Sequence, residues 1–425
     1  MRVDRTVLVT LFLTFCLAAS EVRAQALKSG EFRINQSIAG LQWLPDVAIA
    51  ANGRFVVVWQ EGRDALDYTT PVSIKARIFD AAGKARSGEI LVDRHKRPTY
   101  PGHAVAIAPD GRFVVVWGGG KENPYLVFGR RFAADGRALD SRFPLAQNTD
   151  YQSSPDVAMA ADGSFVTVWA QAVEPQDPTD HEEYAVDVLF RRFAADGRPF
   201  GPEALAIGGY EEQSGPRVAL RPDGGFVVAC EDYNGVDYDI AARPFAHSGA
   251  PLGDAFQVND GPHPEGSQDN PSLAVAADGR FAIAWTDRAG DKKPPFQGLE
   301  SSVGVAIRFY AADGSPLGPE RAVNVFQYGM QAYAEVSALQ TGGFLMLWES
   351  GAGQDGDEFG IFGRVFGAAG ELRGQEFRVN LNRTGSQRYP ALSVAPNGKG
   401  TAVWFGPDGD NGGIFARLIA PPQSR

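Results

Sequence analysis

Cysteine is almost absent from this chain, with two in 425 residues, Cys16 and Cys230. Cys16 falls in an N-terminal stretch read below as a processing signal, so Cys230 is left without a partner and no intramolecular disulfide is expected. Histidine is nearly as scarce, at five residues, and no His/Cys set has zinc-ligand spacing. No G-x-S-x-G, H-E-x-x-H or phosphate loop occurs, so these common catalytic motifs are excluded. Basic residues are the minority, 40 Lys and Arg against 51 Asp and Glu, and a net charge of −11 repels nucleic acid and anionic membranes. Outside the N-terminus no apolar run approaches the roughly 20 residues a membrane helix needs, so no membrane insertion is expected.

The one sustained apolar run, Val7 to Ala19, follows Arg2 and Arg5 and precedes Ala24-Gln25-Ala26. That order predicts a signal peptide over 1–26 and export to the periplasm or beyond. Bulky Phe15 ahead of Cys16 speaks against lipid attachment. An exported chain without disulfides depends on a large apolar core, which roughly 400 residues can supply. A composition of 44% apolar residues with 50 glycines suits an all-β protein rich in turns.

What the chain does have is repetition. VAIAANGRFVVVW (47–59) recurs as VAIAPDGRFVVVW (105–117), VAMAADGSFVTVW (157–169), VALRPDGGFVVAC (218–230), LAVAADGRFAIAW (273–285), VSALQTGGFLMLW (336–348) and LSVAPNGKGTAVW (392–404). In six copies Asn or Asp precedes the turn glycine, a strong hairpin signal read here as two residues that tolerate positive φ. The turn glycines follow one another at 58, 52, 61, 55, 63 and 56 residues, the length of one propeller blade. A second phrase follows each hairpin, as in IKARIFDAAGK (74–84) and IFGRVFGAAGE (361–371), and in six copies it leads through a Gly turn into a fourth strand. The seventh copy stops after its third strand, and its missing phrase, GEFRIN (30–35), stands at the other end. These features predict an all-β, seven-bladed β-propeller of four-stranded antiparallel blades. It is one domain over 27–425, with the N-terminal strand closing the last blade so that no raw strand edge remains.

Positions filled alike in every blade are read as structural. The second strand carries Trp59, Trp117, Trp169, Trp285, Trp348 and Trp404, with Cys230 in the remaining slot as an inert buried thiol. The third carries Arg77, Arg130, Arg191, Arg243, Arg308, Arg364 and Arg417, expected to pair with carboxylates or to stack on the tryptophans.

Function is sought where the symmetry breaks. Up-and-down connectivity puts the variable connections between second and third strands on one face. Those segments hold twenty-one acidic residues against five Lys and Arg, so that face is acidic. Three candidate sites lie there. The loops GQDGDEFG (353–360) and PDGDNGG (407–413) cluster Asp355, Asp357 and Glu358, then Asp408 and Asp410, as weak calcium candidates, against the alternative of solvated Asp-Gly turns. Loop 171–184 holds His181 among acids, and one histidine makes no zinc site. The residues that precede each first-strand phrase are Asp46, Ala104, Asp156, Arg217, Ser272, Glu335 and Ala391, expected to ring the channel mouth. Asp46, Asp156, Arg217 and Glu335 are there the weak catalytic candidates, able to act as acid and base or to form inter-blade salt bridges.

The units resemble bacterial exported repeat proteins in which P-x-V-A-x-x-x-D-G-x-F-V-V-V-W alternates with I-x-x-R-x-F-x-x-x-G-x-x-x-G-x-E-F-x-V-N. PDVAMAADGSFVTVW (155–169) and IFGRVFGAAGELRGQEFRVN (361–380) carry the likeness, which covers nearly the whole chain past the signal. It implies a propeller and export, and transfers no catalytic residue. The first expectation is therefore a monomeric, non-enzymatic binding scaffold that needs no cofactor and presents its acidic face to a protein or glycan. The alternatives are a carbohydrate-active hydrolase or lyase using the mouth carboxylates, and a calcium-stabilised surface scaffold.

Overall fold

The six Asx-Gly turns and the Thr341-Gly342 turn form as hairpins, but by a different device from the one expected. In the computed structural model, which describes residues 30–63, 71–95, 102–119, 125–173, 185–209, 212–259, 266–288 and 303–419, only the glycine of each turn takes positive φ, 77° to 89°. The preceding Asn or Asp stays in ordinary backbone space. Its carboxylate or amide oxygen accepts the N–H two residues on, as from Arg54 to Asn52 at 2.9 Å and from Arg112 to Asp110 at 3.0 Å. Each connection is thus a type I turn finished by a left-handed glycine, and the Asx supplies an acceptor rather than a special dihedral. The expected signal peptide, and residues 174–184 of the loop with His181, lie outside the described residues.

Among the described residues every sheet has four antiparallel strands, and there are seven. In six of them the strands follow chain order. The seventh joins Phe32–Arg33 to Gly413–Ile419, with Phe32 opposite Ala416 and Arg33 opposite Phe415. Ile34 continues the pairing by donating its N–H to Ile414 O at 2.7 Å. The ring closes through its two ends.

The innermost strands are Leu41–Ile49, His103–Ile107, Gln152–Met159, Gln213–Leu220, Gln268–Val275, Gln331–Ala338 and Arg388–Val394. Buried apolar residues gather into seven clusters, and each contains one tryptophan or Cys230. Each cluster draws on two neighbouring blades. Trp117, for example, packs with Val56, Ile74 and Val92 of the blade before it. The core is therefore a ring of inter-blade wedges, and the tryptophans fill the space predicted for them.

The third-strand arginines do something else again. Each donates Nη1 to a backbone carbonyl of the preceding blade's outermost segment: Arg77 to Ile34, Arg130 to Val92, Arg191 to Leu145, Arg243 to Ala206, Arg308 to Val258, Arg364 to Val323 and Arg417 to Val379, at 2.6 to 3.2 Å. Five of them also lie over the aromatic ring two residues on, 5.4 to 5.7 Å from its centre. The partner common to all seven is a backbone carbonyl. Four of the outer strands are only two residues long, and the guanidinium of the next blade supplies a donor to a carbonyl of each outermost segment. Arg308 is 8% exposed, and Arg308→Met is expected to cost about 1.5–3 kcal/mol, measured as the shift in urea-unfolding free energy.

The Asn that ends the outer-strand phrase makes a second joint. Asn35, Asn259, Asn324 and Asn380 donate Nδ2 to Gln42, Gln268, Gln331 and Gln387, at 2.8 to 3.1 Å, where the next blade begins. Their Oδ1 atoms accept the N–H that opens the third strand of their own blade, at 2.8 to 3.0 Å. The "VN" ending of the repeat is thus a hinge pin between successive blades.

Candidate active site at the channel mouth

Six of the seven innermost strands contain a β-bulge near their start. The bulge residues Leu44, Ser154, Gly215, Asn270, Tyr333 and Tyr389 take φ of 50° to 55°. For the five that are not glycine this is a strained conformation, and in most blades proline follows. The N–H groups that the bulges free are captured by the neighbouring blade. Tyr389 N donates to Glu349 Oε2 at 2.9 Å, Asn270 N to Glu231 Oε1 at 2.7 Å, and Tyr333 N to Thr286 Oγ1 at 3.2 Å. Each bulge turns its own residue into the channel and leaves the Asp46-type position one step deeper.

The four expected catalytic residues come together. Asp46, Asp156, Arg217 and Glu335 line one cavity of about 550 Å³, with Tyr333, Tyr389, His103, Glu212 and Glu231 in its walls. Its mouth opens on the face of the variable loops, because Leu41 at the start of the first inner strand pairs with Gly62 at the end of the next. The expected inter-blade salt bridges are replaced by bonds to backbone. Asp46 accepts Val105 N at 2.8 Å and Asp156 accepts Val218 N at 2.8 Å, each from the following blade. Ser272 does the same for Val336 N at 3.0 Å and donates to Glu335 Oε2 at 3.1 Å. Arg217 donates Nη1 to Pro216 O at 3.2 Å.

Burial dominates the electrostatics. Desolvation pushes Glu335 up to about 7, opposed by Arg217 and reinforced by the charges of Asp46 and Asp156. Desolvation likewise pushes Asp46 up to about 6, against the Val105 N–H and with help from Asp156. Asp156 is raised by desolvation, with Arg217 as the strongest force holding it down. His103 is driven down to about 4 by burial and is neutral. The three acids and Arg217 act on one another, so protons are shared unequally within one group. A protonated Glu335 beside an Asp156 that Arg217 favours as an anion has the chemistry of an acid paired with a base or nucleophile.

Sequence reasoning passed over several residues of this site. Tyr333 and Tyr389 meet edge to face at 5.1 Å. Glu349 was counted among exposed loop acids, yet it is fully buried. It accepts Arg388 Nη2 at 2.7 Å and Nε at 3.1 Å, while Arg388 lies 4.4 Å over Phe359 and 5.1 Å over Tyr389. The available signal was an acid directly after the second-strand tryptophan, in a position where most blades carry an uncharged residue. Arg388→Met leaves that buried carboxylate unpaired, and a loss of about 3–5 kcal/mol is expected, readable as a fall in urea midpoint.

The calcium candidates do not converge. Asp355 is buried and accepts Asn380 Nδ2 at 2.9 Å, Asp357 accepts Gly385 N at 2.8 Å, and Glu358 accepts Ser386 Oγ at 2.5 Å. In the other loop Asp408 accepts Asp410 N at 3.2 Å, and Asp410 accepts Gly40 N at 3.0 Å. These carboxylates fix loops to neighbouring segments. No group of three or more His, Cys, Asp or Glu among the described residues is arranged to hold a metal ion.

No known protein family and no curated protein matches the sequence. Solved structures do match. A protein of unknown function from Dyadobacter fermentans DSM 18053 aligns with a TM-score of 0.53 at 11% identity, over 93% of this chain and 99% of that one. The α-L-arabinofuranosidase Arb93A from Fusarium graminearum, in complex with an iminosugar inhibitor, aligns with a TM-score of 0.51 at 10% identity, over 92% of this chain and 98% of its own. A ulvan lyase of a new polysaccharide lyase family aligns with a TM-score of 0.53 at 12% identity, over 94% of this chain and 95% of that one. What is shared is the fold. The expectation of a non-enzymatic binding scaffold is corrected on these findings: two of the structures matched over more than 90% of both chains are a glycosidase and a polysaccharide lyase. Sevenfold repetition reads as structure, whereas the few departures from it meet in one cavity.

Proposed function

We propose that this chain is a carbohydrate-active enzyme, a hydrolase or lyase that cleaves an extracellular glycan at the channel mouth. The observation that carries the reading is the placement of Asp46, Asp156 and Glu335 around Arg217 in a cavity of about 550 Å³. In this reading the protein is exported, folds as one propeller domain from residue 27, and meets a glycan as its partner. The arabinofuranosidase and ulvan lyase matches support that direction at the level of fold.

For hydrolysis the roles follow from the electrostatics. Glu335 gives its proton to the leaving glycosidic oxygen as the bond from that oxygen to the anomeric carbon breaks. If a water attacks directly, its oxygen bonds to the carbon and its proton goes to Asp156; if Asp156 bonds to the carbon first, the water that releases it gives its proton to the Glu335 carboxylate. Tyr333 and Tyr389 offer an aromatic wall to the apolar face of a sugar ring.

The test is a screen of purified protein against plant and algal polysaccharides, read by new reducing ends for hydrolysis and by ultraviolet absorbance of unsaturated uronates for elimination. Asp156→Asn with Glu335→Gln serves as the control. Product from the wild type that vanishes in the double variant is expected. Equal product from both, or none from the wild type on any glycan, sinks the proposal.

A further inference from the structure

The wall of the mouth is unbalanced in charge. Among the described residues five carboxylates line it, Asp46, Asp156, Glu212, Glu231 and Glu335, against the guanidinium of Arg217. Arg217 is already engaged electrostatically by Asp46, Asp156 and Glu335. The outer acids are held in place facing the cavity: Glu231 accepts Ser214 Oγ at 2.7 Å and Asn270 N at 2.7 Å, and Glu212 accepts Tyr238 OH at 3.1 Å. His103 is buried and neutral and adds no positive charge. Elimination by a lyase needs a uronate whose carboxylate is neutralised while the carbon beside it loses a proton. In this mouth a uronate carboxylate would compete with Asp46 and Asp156 for Arg217, under the field of Glu212 and Glu231.

We infer that the mouth takes a saccharide free of carboxylate and sulfate groups, and that the cleavage there is hydrolysis rather than elimination. This rests on the reading of the mouth as a glycan-cleaving site and narrows it. Arg217 is then a positioning residue that keeps Asp156 anionic, not an anchor for substrate charge.

The experiment is calorimetric titration of the full chain, and of Glu335→Gln to block turnover, with arabino-, gluco- and chitosan oligosaccharides and with oligogalacturonate. Product analysis is run in parallel. At least one neutral or amino-sugar series is expected to bind tenfold or more tighter than oligogalacturonate, and to yield reducing ends without unsaturated product. Glu212→Gln, outside the acid-base pair, is expected to strengthen oligogalacturonate binding a few-fold relative to the neutral series. Tightest binding of oligogalacturonate, or any unsaturated product, overturns this inference and leaves the glycan-cleaving reading standing. Selective loss of oligogalacturonate binding in Arg217→Met overturns it equally, since that is the behaviour of an anchor. If no series binds or is cleaved, the underlying reading falls and takes this one with it.

Discussion

Glu335→Gln is expected to slow glycan cleavage by about 10²–10⁴-fold, the usual contribution of a positioned acid, and also to make the protein more stable at pH 8. Burial lifts the Glu335 carboxyl from an ordinary 4.5 to about 7, so the folded chain holds its proton more tightly than the unfolded chain does. The stabilisation tied to that proton is complete below pH 4.5 and disappears as pH rises through 7. The difference corresponds to about 3 kcal/mol of strain at pH 8. Asp46, raised to about 6, loses stability in the same direction over a lower window. Glutamine keeps the shape and carries no charge, so the gain at pH 8 is largest and the gain at pH 5 small. Thermal unfolding of both proteins at the two pH values measures it. A variant as pH-sensitive as the wild type would show that Glu335 ionises freely and is no acid catalyst. In the wild type, activity should decline above about pH 7 as the acid is lost.

The second large effect concerns closure. Deleting residues 30–36 strips blade seven of its outer strand and leaves Gly413–Ile419 as an open edge, and it removes three further supports. Ile34 is fully buried in the cluster that holds Trp59 and Ile414. Ile34 O is the acceptor of Arg77, and Asn35 bridges Ile414 N and Gln42. Ile34→Ala alone is expected to cost about 2–5 kcal/mol, and Asn35→Ala about 1–3 kcal/mol from the buried groups it abandons. The deletion should therefore yield an aggregating, partly unfolded protein. A synthetic peptide Gly30–Gln36 should restore cooperative unfolding by adding back the strand. A deletion variant that unfolds at the wild-type urea midpoint would mean that the ring does not depend on its ends.

Much of this was legible before any coordinates, for a reason visible in particular residues. The β-propeller followed from local signals: the turn glycines such as Gly279, the period of blade length, and a phrase missing at one end and present at the other. Local sequence governs turns and strands, and a repeat announces its own stacking. The partners of the conserved-looking polar residues were read less well. Arg308 reaches Val258 O beside a two-residue outer strand, and Asn380 reaches Gln387 where the next blade begins. Strand length in the folded blade is not written in the repeat. The four mouth residues were singled out correctly as a ring, yet inter-blade salt bridges were expected where Asp46 and Asp156 accept backbone N–H groups.

The sequence by itself determined the number of blades, the closing strand and the face on which variation is concentrated, because these depend on contacts within and between adjacent repeats. Only the tertiary structure decided that Asp46, Asp156 and Glu335 share one cavity with Arg217, that Glu349 is buried, and that Asp355 accepts Asn380 Nδ2 while Asp410 accepts Gly40 N. Those outcomes depend on how far each side chain is withdrawn from water and on which distant strand lies opposite. Desolvation is a property of the assembled ring, and no single repeat contains it.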